Sequence, residues 1–145
     1  LVFAASSAAS AGAAAAMLTP VGDAGPARRM AAGGALLELA AVKLMKRRLG
    51  PFLAEPYEQE AAGRYDKLAK VLSGVGAAVT AFAGLRKSRA ASVAGGALVL
   101  AGAACERWSV FKAGFQSARD PKYTVMPQRE RLRKRDGARR GQTDA

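Results

Sequence analysis

Glu38 is the residue whose surroundings most favour chemistry. It interrupts the apolar run Leu36-Leu37-Glu38-Leu39-Ala40 and lies ten residues from Arg28 and ten from Arg48. On a helix that is about 15 Å from either charged end. A carboxyl at such depth is costly to bury, so it either moves protons or holds two helices together through a hydrogen bond. Lys43 is no partner for it, because five residues along a helix turn the side chain about 140° away.

Few other chemistries are open to this chain. Histidine is absent and Cys105 is the only cysteine. A disulfide framework, a Cys/His zinc site, a cysteine-ligated iron–sulfur cluster and a His-ligated haem are therefore excluded for the chain itself. Ser–His and Cys–His nucleophile pairs are excluded on the same count. Cys105 reads as a small buried packing residue. Glu106 and Arg107 are adjacent and point to different faces of a helix. They read as an interfacial pair, with Arg107 reaching the headgroup level beside Trp108.

The elements that must position these groups are helices. Of 145 residues, 35 are alanine and 16 glycine, so half the chain is apolar while the mean hydropathy is only +0.01. Leu1 to Leu18 carries no charge and only three serines, and Thr19-Pro20 closes it. Eighteen helical residues rise roughly 27 Å, close to the thickness of a bilayer core. Three more apolar segments follow, and none alternates with period two for long enough to be a strand. Four transmembrane helices are expected over about 1–18, 27–47, 67–85 and 90–115, forming an all-α bundle over 1–116. A basic, mostly disordered tail is expected over 117–145. Leu1 stands where a start methionine would, which reads as the C-terminal piece of a longer chain.

Small residues recur four apart at Ala8/Gly12/Ala16, Ala27/Ala31/Ala35, Gly76/Thr80/Gly84 and Ser88/Ser92/Gly96. That spacing puts them on one face, where backbones in lipid can approach closely. A soluble alanine-rich bundle would need a polar stripe on every helix, and the first and fourth segments have none. Alternation of four spans puts the Lys43–Lys70 connection and the C-terminus on one side, with seventeen Lys/Arg against five opposite. The excess predicts a multi-pass protein of the plasma (inner) membrane with a cytoplasmic C-terminus. The net charge of +12 is thus largely an orientation and lipid-headgroup signal. Nucleic acid is the lesser reading of the run Arg129–Arg135. It directly follows a spanning helix, and no aromatic residue is interleaved after Tyr123 to stack on bases.

The stretch Ser117-Ala118-Arg119-Asp120-Pro121-Lys122-Tyr123-Thr124-Val125-Met126-Pro127-Gln128-Arg129 resembles the C-terminus of NrfD-type polysulfide-reductase membrane subunits. Leu18-Thr19-Pro20, Ala24-Gly25-Pro26-Ala27-Arg28-Arg29 and the Leu36–Ala40 run are similar to the same family. The resemblance covers essentially the whole chain and about the C-terminal half of such a subunit. It implies a haem-free membrane anchor that exchanges electrons between the quinone pool and an iron–sulfur subunit, with a molybdopterin oxidoreductase beyond. On that reading Glu38 is a proton-relay or quinone-facing carboxyl, and Arg119, Asp120, Lys122, Tyr123 and Arg129 form a docking and anchoring tail. Quinone contacts in the family lie largely in the N-terminal half, so no quinone site is carried over to residues of this chain. The rival readings are a helical membrane scaffold or transporter fragment without redox function, and a soluble nucleic-acid-binding bundle.

Overall fold

Proline and glycine mark the boundary between the first two helices. In a computed structural model describing residues 1–58 and 60–143, the helices are α1 (Val2–Leu18), α2 (Gly25–Ala54), α3 (Glu60–Leu85), α4 (Arg89–Arg119) and α5 (Lys122–Thr143), with a 3-10 turn over Glu55–Tyr57. No strand occurs among the described residues. Extended Thr19 ends α1 just before Pro20, as expected where proline disfavours helix in the residue before it. Pro26 sits in the first turn of α2, where its missing N–H costs nothing.

The register follows from a few contacts. Gly12 faces Ala27 and Ala31, while Gly34 faces Ala8 and Ala9, so α1 and α2 run antiparallel. Gly76 faces Gly95 and Val99, and Gly102 faces Ala69 and Ser73, which pairs α3 with α4 in the same sense. Ser92 Oγ donates to the Ala16 carbonyl at 3.0 Å, joining α4 to α1. Lys46 of α2 bonds Asp66 of α3 at 2.9 Å and closes the ring. The first four helices form an up-down-up-down bundle with every neighbour antiparallel.

Members of all four expected small-residue faces lie in these seams. A methyl group on Gly95 would come within 2.6 Å of the Thr80 backbone nitrogen, and one on Gly76 within 2.7 Å of the Val99 nitrogen. The core is Ala9, Ala13, Ala31, Ala35, Ala77 and Val99, and Val99 is the largest fully buried side chain. Leu36, Leu37, Val71, Phe82 and Leu85 instead stand on the exterior.

Several boundaries differ from the sequence reading. α2 extends past 47 to Ala54, but it breaks at Gly50, which takes φ +73° and ψ 171° ahead of Pro51. Pro51 cannot donate to the preceding turn, and glycine accepts the left-handed conformation without a Cβ penalty. α3 begins before 67, because Glu60, Arg64, Tyr65 and Lys67 continue its helix on the charged end. The tail is helical through Thr143 rather than mostly disordered. Gln128 to Arg135 is composed of good helix formers with no glycine or β-branched residue. Ala145, the end of the expected tail, and Asp144 lie outside the described residues.

Among the described residues, one helix is long and apolar enough to cross a membrane, residues 61–85, while α1 is apolar but has 17 residues. α2 and α4 are longer, yet Glu38, Lys43, Glu106 and Arg107 and their glycine and serine residues lower their hydropathy.

Candidate functional site

Three carboxylates sit inside the bundle at different depths. Gly34 opposite Ala9 sets α1 on α2 so that Glu38 lies level with Ser6. The α1–α4 and α3–α4 contacts place Gly102 and Ser73 at the same level. Glu106 then stands about one helical turn nearer the charged end, and Asp66 about two turns nearer. The three acids descend from the middle of the bundle toward the end that carries most of the cations.

Their environments differ sharply. Glu38 is 3 % exposed and neither carboxyl oxygen has a hydrogen-bond partner among the described residues. Ser6 and the charge of Arg107 are its nearest polar influences, but the Ser6 hydroxyl does not close a hydrogen bond either. Arg107 is exposed and donates to the Ala103 carbonyl at 3.1 Å. Asp66 is the opposite case. Its Oδ2 accepts from Lys46 Nζ at 2.9 Å and Lys70 Nζ at 2.7 Å, and Lys46 also reaches Glu58 at 3.9 Å.

Glu106 corrects the sequence reading. It is 4 % exposed and faces the interior, not the interface, and Asp66, Glu38, Lys46 and Lys70 are its electrostatic neighbours. Its helical phase gave the signal: Gly95, Gly102, Glu106, Ser109 and Ala113 share one buried face of α4, and Ser109 Oγ donates to the Ala62 carbonyl at 2.9 Å. Arg107 and Trp108 do face outward as expected. Trp108 stacks on Phe111 at 5.3 Å, Phe111 meets Phe115 at 4.7 Å, and Tyr65 meets the Trp108 ring edge-on at 6.4 Å. These form an exposed aromatic band at the charged end. Cys105 is half-buried rather than buried.

Beyond the acids, the half-buried Tyr57 lies on the 3-10 turn. Burial, and behind it the charge of Glu106, raises its phenol above the ordinary value. It remains a hydrogen-bond donor through the physiological range.

The tail residues fold back onto this end. Asp120 is extended and its Oδ1 accepts from the Lys122 backbone N–H at 3.0 Å. Lys122 Nζ lies 3.4 Å from Asp120, 3.6 Å from Glu55 and over the Tyr123 ring at 4.7 Å. Tyr123 is buried against Phe52, with ring centroids 5.5 Å apart. Arg119 and Arg129 are exposed. At the opposite end, Arg28 and Arg89 donate to the carbonyls of Val21 and Thr19, each at 2.8 Å.

The donor set for a metal is thin: no group of three or more Cys, Asp or Glu side chains is arranged to hold an ion among the described residues. An iron–sulfur cluster does not fit this chain, which offers a single cysteine. No protein-family model matches the chain, and no curated protein and no solved structure matches it.

Proposed function

We propose that this chain is part of a membrane anchor subunit of a quinone-linked oxidoreductase, with four spanning helices and its basic end in the cytoplasm. One observation carries the membrane placement: side-chain size is inverted, with Ala, Gly and Ser inside and Leu, Val and Phe outside. In water, such a core removes little apolar area from solvent and leaves large patches exposed. In lipid, close backbone contact through small residues is how helices associate, and large apolar side chains belong on the outside. The aromatic band and the basic end are the interfacial features such a bundle requires.

The redox part of the reading is supported by the resemblance of the Arg119–Arg129 tail, and by the interior acids. Quinone reduction consumes protons together with electrons, so a quinone-linked subunit needs a route for protons. Glu38, enclosed and unpartnered, suits proton handling better than direct contact with a quinone ring. Glu106 and the Asp66–Lys46–Lys70 cluster continue from it toward the basic end. Electrons would pass to an iron–sulfur partner and a molybdopterin subunit, since this chain offers no ligand set of its own.

The test is quinol-coupled turnover of the reconstituted complex with Glu38→Gln. Gln keeps the volume but cannot release or take up a proton. Assembly should persist and turnover should fall. Wild-type turnover would sink the relay reading and leave Glu38 as a helix-packing contact, whereas failure of the full-length subunit to co-purify with a cysteine-rich iron–sulfur partner would favour a non-redox scaffold or transporter fragment. A reporter fused after Ala145 should be active on the cytoplasmic side; activity on the other side alone would reverse the orientation.

A further inference from the structure

The break in α2 builds a groove that the bundle itself does not use. At Gly50 the helix turns, and the turn carrying Leu49, Pro51 and Phe52 becomes an apolar wall. The opposite wall is α5, whose Met126, Arg129 and Arg133 line the groove. Those three share one helix face by their three- and four-residue spacing. The volume of this open groove is about 570 Å³. Glu130 also lines it, so the two guanidiniums leave it net positive, and Arg47 and Arg48 are exposed on the turn just before Leu49. Phe52 packed on Tyr123 holds the two walls together at one end.

We infer that this groove binds an anionic phospholipid, with the phosphate between Arg129 and Arg133 and the first part of an acyl chain along Leu49, Phe52 and Met126. Charge and shape select this occupant. The groove places an apolar wall beside paired guanidiniums, and an amphiphile with an anionic head engages both. A free phosphate would use only the cationic half. Paired N–H donors of two arginines suit phosphate oxygens, and basic juxtamembrane segments draw anionic lipid to the cytoplasmic leaflet. The inference rests on the membrane placement above, not on the redox reading.

The experiment uses the full chain reconstituted into phosphatidylcholine vesicles containing a minority of phosphatidylglycerol. Spin-labelled phosphatidylglycerol and phosphatidylcholine report the lipid held at the protein. The wild-type chain should select the anionic label, and Arg129→Gln/Arg133→Gln should lower that selectivity by roughly fivefold or more. Arg131→Gln/Arg135→Gln removes equal charge from outside the groove and should lower it far less. Equal losses in the two variants would overturn the site in favour of a diffuse electrostatic anchor. Displacement of the label by inorganic phosphate, beyond that caused by chloride of matched ionic strength, would make it a free-anion site and also overturn the inference. Release of the wild-type chain from membranes by a carbonate wash would be a different failure, removing the membrane placement and the lipid site together.

Discussion

The layer around Asp66 and the layer around Glu38 are built from the same kind of residue and solve opposite problems. Asp66 is clamped by two ammonium groups from two helices, so its burial is compensated by charge and by hydrogen bonds. Glu38, two turns away, is as deeply buried, with the Ser6 hydroxyl as its polar neighbour and no hydrogen bond closed at either oxygen among the described residues. A buried carboxylate with partners is a joint between α2 and α3. One without partners costs stability that packing elsewhere must offset, which is the usual mark of a residue kept for its chemistry.

The largest test of this contrast is Asp66→Ala. It leaves Lys46, whose side chain is 13 % exposed, with only the 3.9 Å contact to exposed Glu58, and the loss should be about 3–5 kcal/mol, read by chemical unfolding. Lys46→Ala should cost more than Lys70→Ala. Lys70 is 45 % exposed and behaves as a surface partner worth at most about 1 kcal/mol. If the two lysines prove equivalent, the Asp66 layer is not the joint described here.

A helix seam without a carboxylate provides the reference. Gly95→Ala should destabilise by about 1–3 kcal/mol by pushing α4 off Thr80 of α3. A silent Gly95→Ala would mean that the seams are loose, and that burial at Glu38 is less complete than its exposure indicates.

For Glu38 the sign reverses. Glu38→Met replaces unpartnered polar atoms with an apolar side chain of similar length, and should stabilise by about 1–2 kcal/mol in the same unfolding assay. Loss of stability would reveal a hydrogen-bond partner and move Glu38 into the same class as Asp66.

The smallest effect is expected at the α3–α4 turn, far from both layers. Lys87 adopts φ +48° there, and the Ser88 N–H donates to the Ala83 carbonyl at 3.1 Å. This is a helix-ending motif that glycine usually occupies. Lys87→Gly should gain about 0.5–1 kcal/mol and change neither carboxylate layer.

The helices were legible in the sequence because proline and glycine bracket α1 and the start of α2 and the charged Arg86–Arg89 turn separates α3 from α4, and the seams because small residues recur at four-residue spacing. α5 was not legible, since a dense cationic run looks disordered until its helix propensity is weighed separately from its charge. Glu106 was missed for a related reason. Its neighbours Arg107 and Trp108 belong at an interface, and proximity in sequence hid the helical phase that turns Glu106 inward with Gly102 and Ser109. That Glu38 lacks a partner could not be read at all, because it depends on the position of Ser6 thirty-two residues away and on the register of α1.

The thinness of the seams sets which substitutions this chain can absorb. In a water-soluble bundle the exterior tolerates polar exchange and the interior tolerates swaps among large aliphatics. Here, exchanging Leu37, Val71 or Phe82 for another bulky apolar residue should be nearly silent. Adding a single methylene at Ala9, Ala31 or Ala35 should force two backbones apart. A saturation scan would therefore show its intolerant positions at the smallest residues.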